Sequence, residues 1–347
     1  MKRHLLFLAA LLIVNLAASA QKKFSVYAVG FYNQENLFDT CHDEGKKDYE
    51  YLPNKGWNGM KYTNKLRNMS KALADMGTDV LPNVGCAFIG LSEVENHKVL
   101  DALVDQAPLK ARNMKYVHIE GPDRRGIDCA LLYNPSLFSV KNVKLLPYVQ
   151  ELAKDSAFFT RGFLTVRGEM AGDDVAVIVC HWPSRFSGSF YRESAARQVK
   201  VIKDSLLNVN QEMKIFVMGD MNDDPVNKSM HVYLQAKPEI SQVGAGDMYN
   251  PWYNVLAKEG KGTLFYSGNW NLFDQIVITP NLLNKDAKKK DYSSLKYWKS
   301  HIFRRDYLIQ QEGQYKGAPL RTTAGGRWLN GYSDHLPVVM YLVKEKR

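Results

Sequence analysis

The stretch Ile215-Phe-Val-Met-Gly-Asp-Met-Asn-Asp-Asp-Pro225 decides how the chain is read. Its opening residues, Ile215 to Gly219, are apolar or glycine, as in a short buried strand. Asp220 and Asn222 follow two residues apart, so in extended chain both side chains leave on the same side. A carboxylate and an amide at a strand's end can orient a water and hold a phosphate oxygen. Alone, the run from Asp220 to Pro225 is equally a turn, because Asp, Asn and Pro favour turns. Recurrence tips the balance. Asn33 and Glu35 follow the run 26–31, and Glu93 and Glu95 follow 88–91. His181 closes 175–180, Asp274 opens 275–279, and Asp334-His335 precede Leu336-Pro-Val338. Acidic side chains gathered at one sheet end repel one another unless a cation lies among them. Carboxylate and amide oxygens suit Mg2+ or Mn2+.

Further apolar runs, rich in β-branched and aromatic residues, lie at 24–29, 87–91, 115–119, 129–133, 162–166 and 338–343. Each is bounded by turn formers and reads as a strand. Leu66, Met69, Leu73 and Met76 step by three and four, as do Ala195, Val199, Ile202 and Leu206, which predicts two amphipathic helices. Many strands with few helices predict an α/β or α+β sandwich. No repeat or long Pro/Gly/Ser linker divides the chain, so one domain is expected over residues 21–347.

Residues 41–63 and 284–332 show no clear strand. The second is a basic insertion carrying Lys285, Lys288, Lys289, Lys290, Lys296, Lys299, Arg304 and Arg305. It separates Asp274 from Asp334, so its ends are expected beside the cleft, with its lysines meeting distant phosphates.

The chain begins with Lys2 and Arg3, a nearly continuous apolar run over 5–16 and Ala18-Ser-Ala20. That is the pattern of a signal peptide over 1–20, too short to span a bilayer. Export, periplasmic or secreted, with cleavage near Ala20 and no stable membrane span is therefore expected. Loss of this segment leaves the formal charge of +10 still strongly positive. A basic protein attracts polyanions without choosing among them. Cys41, Cys86, Cys129 and Cys180 show no C-x-x-C or zinc spacing. Cys129 and Cys180 read as buried thiols. Export would permit a Cys41–Cys86 disulfide. No Gly-x-Ser-x-Gly elbow accompanies Ser333-Asp-His335, which argues against serine hydrolysis.

Taken in order, Asn33-Gln-Glu-Asn-Leu-Phe-Asp39, Gly90-Leu-Ser-Glu-Val-Glu-Asn96, Gly126-Ile-Asp-Cys-Ala-Leu-Leu-Tyr133, His181-Trp-Pro-Ser-Arg185, Gly219-Asp-Met-Asn-Asp-Asp-Pro225, Phe273-Asp-Gln-Ile-Val-Ile278 and Ser333-Asp-His-Leu-Pro-Val338 resemble the endonuclease/exonuclease/phosphatase superfamily. The resemblance implies a deoxyribonuclease-I-like, four-layer αββα sandwich of two packed, mainly antiparallel sheets. It implies that Glu93 binds a metal, Mg2+ or Mn2+, aided by Asn33, Glu35 or Asp334. It also implies that Asp220 activates the attacking water or protonates the leaving group. Asn222 would orient the phosphate. His335, held by Asp274, and His181 would donate to it. Ser92 stands where many relatives have Gln, and Glu35 where some have Asp. Asp128 is a candidate to orient His181.

The expected activity is hydrolysis of a phosphodiester, with nucleic acid as substrate and no obligate protein partner. Arg125 and Arg185 are candidate phosphate contacts, and Arg124, Arg192 and Arg197 add to the basic surroundings. The alternatives are a phosphatase or a phospholipid or sphingomyelin phosphodiesterase on the same centre, which Trp252, Tyr253, Trp270 and Trp298 keep open. A third is a non-catalytic binding module.

Overall fold

The computed structural model describes residues 23–151, 159–286 and 288–346. The expected signal peptide lies outside them. Strands are β1 (Phe24–Leu37), β2 (Phe88–Val94), β3 (Lys115–His118), β4 (Asp128–Tyr133), β5 (Phe138–Leu146), β6 (Phe163–Met170), β7 (Asp173–His181) and β8 (Lys214–Asp220). There follow β9 (Ala236–Lys237), β10 (Met248–Tyr249), β11 (Leu264–Tyr266), β12 (Asn269–Asn271), β13 (Asp274–Ile278), β14 (Lys296–Ile302), β15 (Thr323–Ala324), β16 (Arg327–Trp328) and β17 (Val338–Glu345). Helices are α1 (Gly59–Asp75), α2 (His97–Val104), α3 (Ala107–Ala111), α4 (Ser189–Val209) and α5 (Trp252–Ala257).

Two sheets form, in the orders β14-β17-β1-β2-β4-β3 and β5-β6-β7-β8-β13-β10-β9. Period-two alternation explains why they stack. Val29, Phe31, Phe88 and Leu131 of the first sheet meet Val177, Phe216, Met218 and Ile276 of the second in one buried layer. The alternate residues face outward and need cover. Ala28, Ile89 and Tyr341 pack under Leu66, Met69 and Leu73 of α1. Ala176, Ile178 and Ile215 pack under Ala195 and Val199 of α4. Both helical periods in the sequence thus cover opposite outer faces, giving four layers αββα. Most neighbouring strands are antiparallel, with parallel pairs at β1–β2, β7–β8 and β9–β10.

Four expectations need correcting. β5 was not among the predicted strands, because Phe138–Leu146 alternates exposed lysine and asparagine with apolar residues at a sheet edge. The 284–332 excursion does contain a strand: β14 pairs with β17 along Lys296 to Ile302. Its lysines are also at the wrong end for the cleft. Glu345 donates its N–H to Tyr292 and pairs with Phe24, whereas Asn33 lies nine residues further along β1. At about 3.3 Å per residue that is roughly 30 Å. Residues 288–290 therefore flank the far edge, and only the part after Ile302 returns to the site. All four cysteines are free, with Cys41 exposed and Cys86, Cys129 and Cys180 buried, so no Cys41–Cys86 disulfide is formed.

Candidate active site

Strand register builds half of the site. In the second sheet, His181 pairs with Asp220 across β7–β8, and Asp220 pairs with Asp274 across β8–β13. Three titratable side chains are thereby placed in one row at one sheet end. Gly219 permits the approach: a Cβ there would lie 2.2 Å from the Cys180 carbonyl oxygen. From the first sheet come Asn33 on β1 and Glu93 on β2, and from the segment before β17 come Asp334 and His335.

The polar residues do not follow simple strand alternation. Glu35, Asn36, Glu93 and Asn222 all have positive φ, between 45° and 60°. The β1–β2 and β2–β4 registers slip at these places. A bulge re-aims side chains, and non-glycine residues with positive φ are held only where surroundings enforce them. So paired residues two apart diverge. Asn33 reaches Asp220 Oδ2 and Glu93 Oε1, through its Nδ2, at 3.0 and 3.3 Å. Glu35 instead accepts the Thr322 N–H at 2.6 Å and faces Arg321. Glu93 Oε2 accepts the Asn36 N–H at 2.9 Å, whereas Glu95 accepts that of Asp39.

At the centre, His181 Nε2 lies 3.6 Å from Asp220 Oδ2 and 3.7 Å from Glu93 Oε1. His335 Nε2 lies 3.9 Å from Asp220 Oδ2 and 4.0 Å from Asp334 Oδ1. Asp274, fully buried, accepts from His335 Nδ1 at 2.7 Å. Burial disfavours a charged His335, but the Asp274 and Asp220 carboxylates outweigh it and raise the imidazole well above its ordinary range. His181 goes the other way: burial and the nearby Arg161 and Arg125 hold it neutral, well below that range. The two imidazoles are thus pushed in opposite directions. Burial pushes the Asp220 carboxyl up to about 7, opposed by His335 and assisted by Asp274.

Asn222 sits in the turn after β8. Its N–H donates to Asp220 Oδ1 at 2.9 Å and its Nδ2 to the Trp182 carbonyl at 3.0 Å. Arg161 donates to the same carbonyl and pairs with Asp123. Arg185 donates to the Asn222 carbonyl, Asn271, Asp224 and Asn227, over the Phe273 ring. It braces the loop. Arg192 pairs with buried Asp223, and Arg197 with Glu151 on α4's outer side. Both guanidiniums are engaged by these carboxylates. Arg125 is exposed, 3.7 Å from Asp123 Oδ1, and close enough to act on His181. Asp128 pairs with His118 at 3.1 Å and accepts the Gly121 N–H, so it does not orient His181. The His181 Nδ1 has no hydrogen-bond partner among the described residues.

Ligand atoms of Glu93, His181 and Asp220 lie within 4.8 Å of one another. Two carboxylates and an imidazole fit a divalent cation. The other two expected carboxylates are already engaged: Arg321 is 2.9 Å from Asp334 Oδ2 and 3.5 Å from Glu35 Oε1. Asn33 presents nitrogen to the carboxylates, since its Oδ1 accepts the Glu35 N–H. Arg321 was not picked out from the sequence. Only its position within the excursion between Asp274 and Asp334 pointed near the site.

Asp274→Asn should lower turnover about 100-fold through loss of the charge that keeps His335 protonated, with KM within about threefold. Steady-state kinetics on folded variant, verified by circular dichroism, checks this. Unchanged turnover would remove the pair from catalysis.

Residues 28–344 match the model of the Endonuclease/Exonuclease/phosphatase family. No match is found among curated protein sequences. Among solved structures, the chain is similar to D. rerio TDP2 complexed with single strand DNA product, at 12% identity and a TM-score of 0.53, covering 92% of this chain and 99% of that one. It is similar to a mannosyl-6-phosphatase of Bacteroides thetaiotaomicron, at 14% identity and a TM-score of 0.53, covering 91% and 99%. An endonuclease/exonuclease/phosphatase family protein of the same organism gives 14% and 0.54, covering 93% and 97%. At such identities the structural likeness carries the fold alone.

Proposed function

We propose, for a chain that belongs to the endonuclease/exonuclease/phosphatase family, hydrolysis of phosphodiesters in nucleic acid, outside the cytoplasm, with Mg2+ or Mn2+. The observation that carries the reading is the convergence of Glu93, Asp220, His181 and the Asp274–His335 pair at facing sheet ends. Phosphoryl transfer asks mainly for positioning and for neutralisation of charge. A divalent cation held by Glu93, with Asp220 and His181 adjacent, would supply that neutralisation.

The protein's own groups divide the remaining work. Ionised Asp220 takes the proton of the attacking water, a task that its raised pKa suits near neutrality. Charged His335 donates from Nε2 to a phosphate oxygen while Asp274 fixes Nδ1. Neutral His181 is a second donor, and Asn222, pinned through Trp182, sets the phosphate's orientation. Export rests on residues 1–20 alone, and among the described residues no helix is long and apolar enough to cross a membrane. Of the residues that keep the lipid alternative open, Trp252 is fully buried, with its indole N–H on the Ile276 carbonyl, whereas Trp298 is exposed. Trp270 packs against Phe265.

The test is a panel of single-stranded DNA, RNA, duplex DNA, sphingomyelin and mannose 6-phosphate, with Mg2+ or Mn2+. A nucleic acid should be turned over at least about tenfold faster than the lipid or the sugar phosphate, and EDTA should abolish that turnover. A faster sugar phosphate or lipid would overturn the nuclease reading.

A further inference from the structure

We infer that the cleft opening at Asp334 is a subsite for a nucleobase, belonging to a nucleotide or to the end of a single strand. The inference rests on the phosphodiesterase reading above and adds what sits beside the reacting phosphate. The cleft holds about 870 Å³, within the roughly 300–1,000 Å³ that encloses a small organic ligand. One wall is the β11–β12 hairpin, with Phe265 and Tyr266; the other is the excursion after β14, with Gln314, Tyr315 and Arg327.

Hairpin geometry holds Tyr266 out. Tyr266 pairs with Asn269 across a turn whose two residues, Ser267 and Gly268, both have positive φ, at 48° and 81°. A two-residue turn of that kind is short and stiff. Behind it, the Phe265 ring packs on Trp270, and the β11–β12 pair is tied to the site through a bridge between Leu264 and His335. Tyr266 and Tyr315 are nonetheless 69% and 52% exposed, so two phenol rings face the cleft and not the core. Flat faces of this sort stack bases with little regard to identity. The Gln314 amide can both donate to and accept from a base edge. Arg327 has no ion-pair partner among the described residues and can meet a second phosphate. Arg321, by contrast, is committed to Asp334 and Glu35 at the cleft mouth. Aromatic walls, an amide and a free guanidinium suit a nucleotide better than a sugar phosphate, which offers no extended flat face.

Two esters with one leaving group separate the base from the chemistry: the p-nitrophenyl ester of thymidine 5′-monophosphate, and methyl p-nitrophenyl phosphate. The double variant Tyr266→Ala, Arg327→Ala changes only exposed side chains. It should raise KM for the thymidine ester about tenfold, with kcat within twofold and the methyl ester unaffected, as expected for loss of about one stack. Calorimetry should show thymidine 5′-monophosphate binding weakened by a similar factor. A variant that shifts both esters alike, or neither, overturns the subsite, as does mannose 6-phosphate binding as tightly as the nucleotide. If the wild type turns over neither ester, the phosphodiesterase reading fails. Calorimetry then judges the subsite separately: absent nucleotide binding overturns it, and binding lost in the double variant supports it.

Discussion

Asp220→Asn should lower turnover by about 1,000-fold or more, since a positioned general base contributes typically 10²- to 10⁴-fold. The substitution keeps the shape and leaves an oxygen for the Asn222 N–H now held at 2.9 Å. What it removes is the proton acceptor. The pH profile adds a second readout. Burial disfavours the charge and pushes the carboxyl up to about 7, so the ionised form is favoured above that value. Wild-type kcat/KM should therefore fall as pH drops through about 7, and the residual activity of Asp220→Asn should lose that limb. A variant retaining both rate and limb would assign the base to another group. Circular dichroism guards against a trivial loss of fold, although the Asn side chain fills the same space.

Glu93→Gln should act on the metal and not on the proton. Glu93 sits at a positive φ of 60°, its Oε2 fixed by the Asn36 N–H, and its Oε1 points among His181 and Asn33. Its neutral amide keeps the shape and one acceptor oxygen, enough for the Asn36 N–H, while losing the contact with the Asn33 amide and the charge a hard cation needs. Losing even a supporting partner of a metal ligand typically costs 10- to 100-fold in affinity. The Mg2+ concentration for half-maximal activity should thus rise by about 100-fold or more, with direct titration calorimetry giving the same shift. Activity restored at unchanged Mg2+ would show that the carboxylate is dispensable.

The sequence revealed this arrangement unevenly, and the reason is physical. Buried strands announce themselves when both faces are covered, as in Ile215 to Met218, so β7, β8 and β13 were legible with the polar residues at their ends. β5 was not, because an edge strand with one solvated face mixes Lys and Asn into its pattern. The alternation rule correctly brought Asn33, Glu93 and Asp220 to strand ends. It misplaced their neighbours, since positive φ at Glu35, Glu93 and Asn222 breaks the period on which the rule depends. Charge counts misled most. Lys288 to Lys290 stand out in sequence yet flank the far end of β1, roughly 30 Å from the centre at about 3.3 Å per residue, while the single Arg321 sits on two of its carboxylates. Arg185 and Arg192 were noticed for their charge and turned out to brace the loop carrying Asn222. Local pattern identifies the strand; only the tertiary register says which charges meet.

The central claim is that this centre hydrolyses phosphodiesters with the help of a divalent cation. The most direct measurement is turnover of bis(p-nitrophenyl) phosphate by the purified chain over residues 21–347, before EDTA, after EDTA, and after Mg2+ or Mn2+ is returned. The predicted result is release of nitrophenolate that EDTA abolishes and metal restores, with Asp220→Asn at background throughout. Turnover indifferent to EDTA, or wild-type turnover no greater than that of Asp220→Asn, would contradict the account.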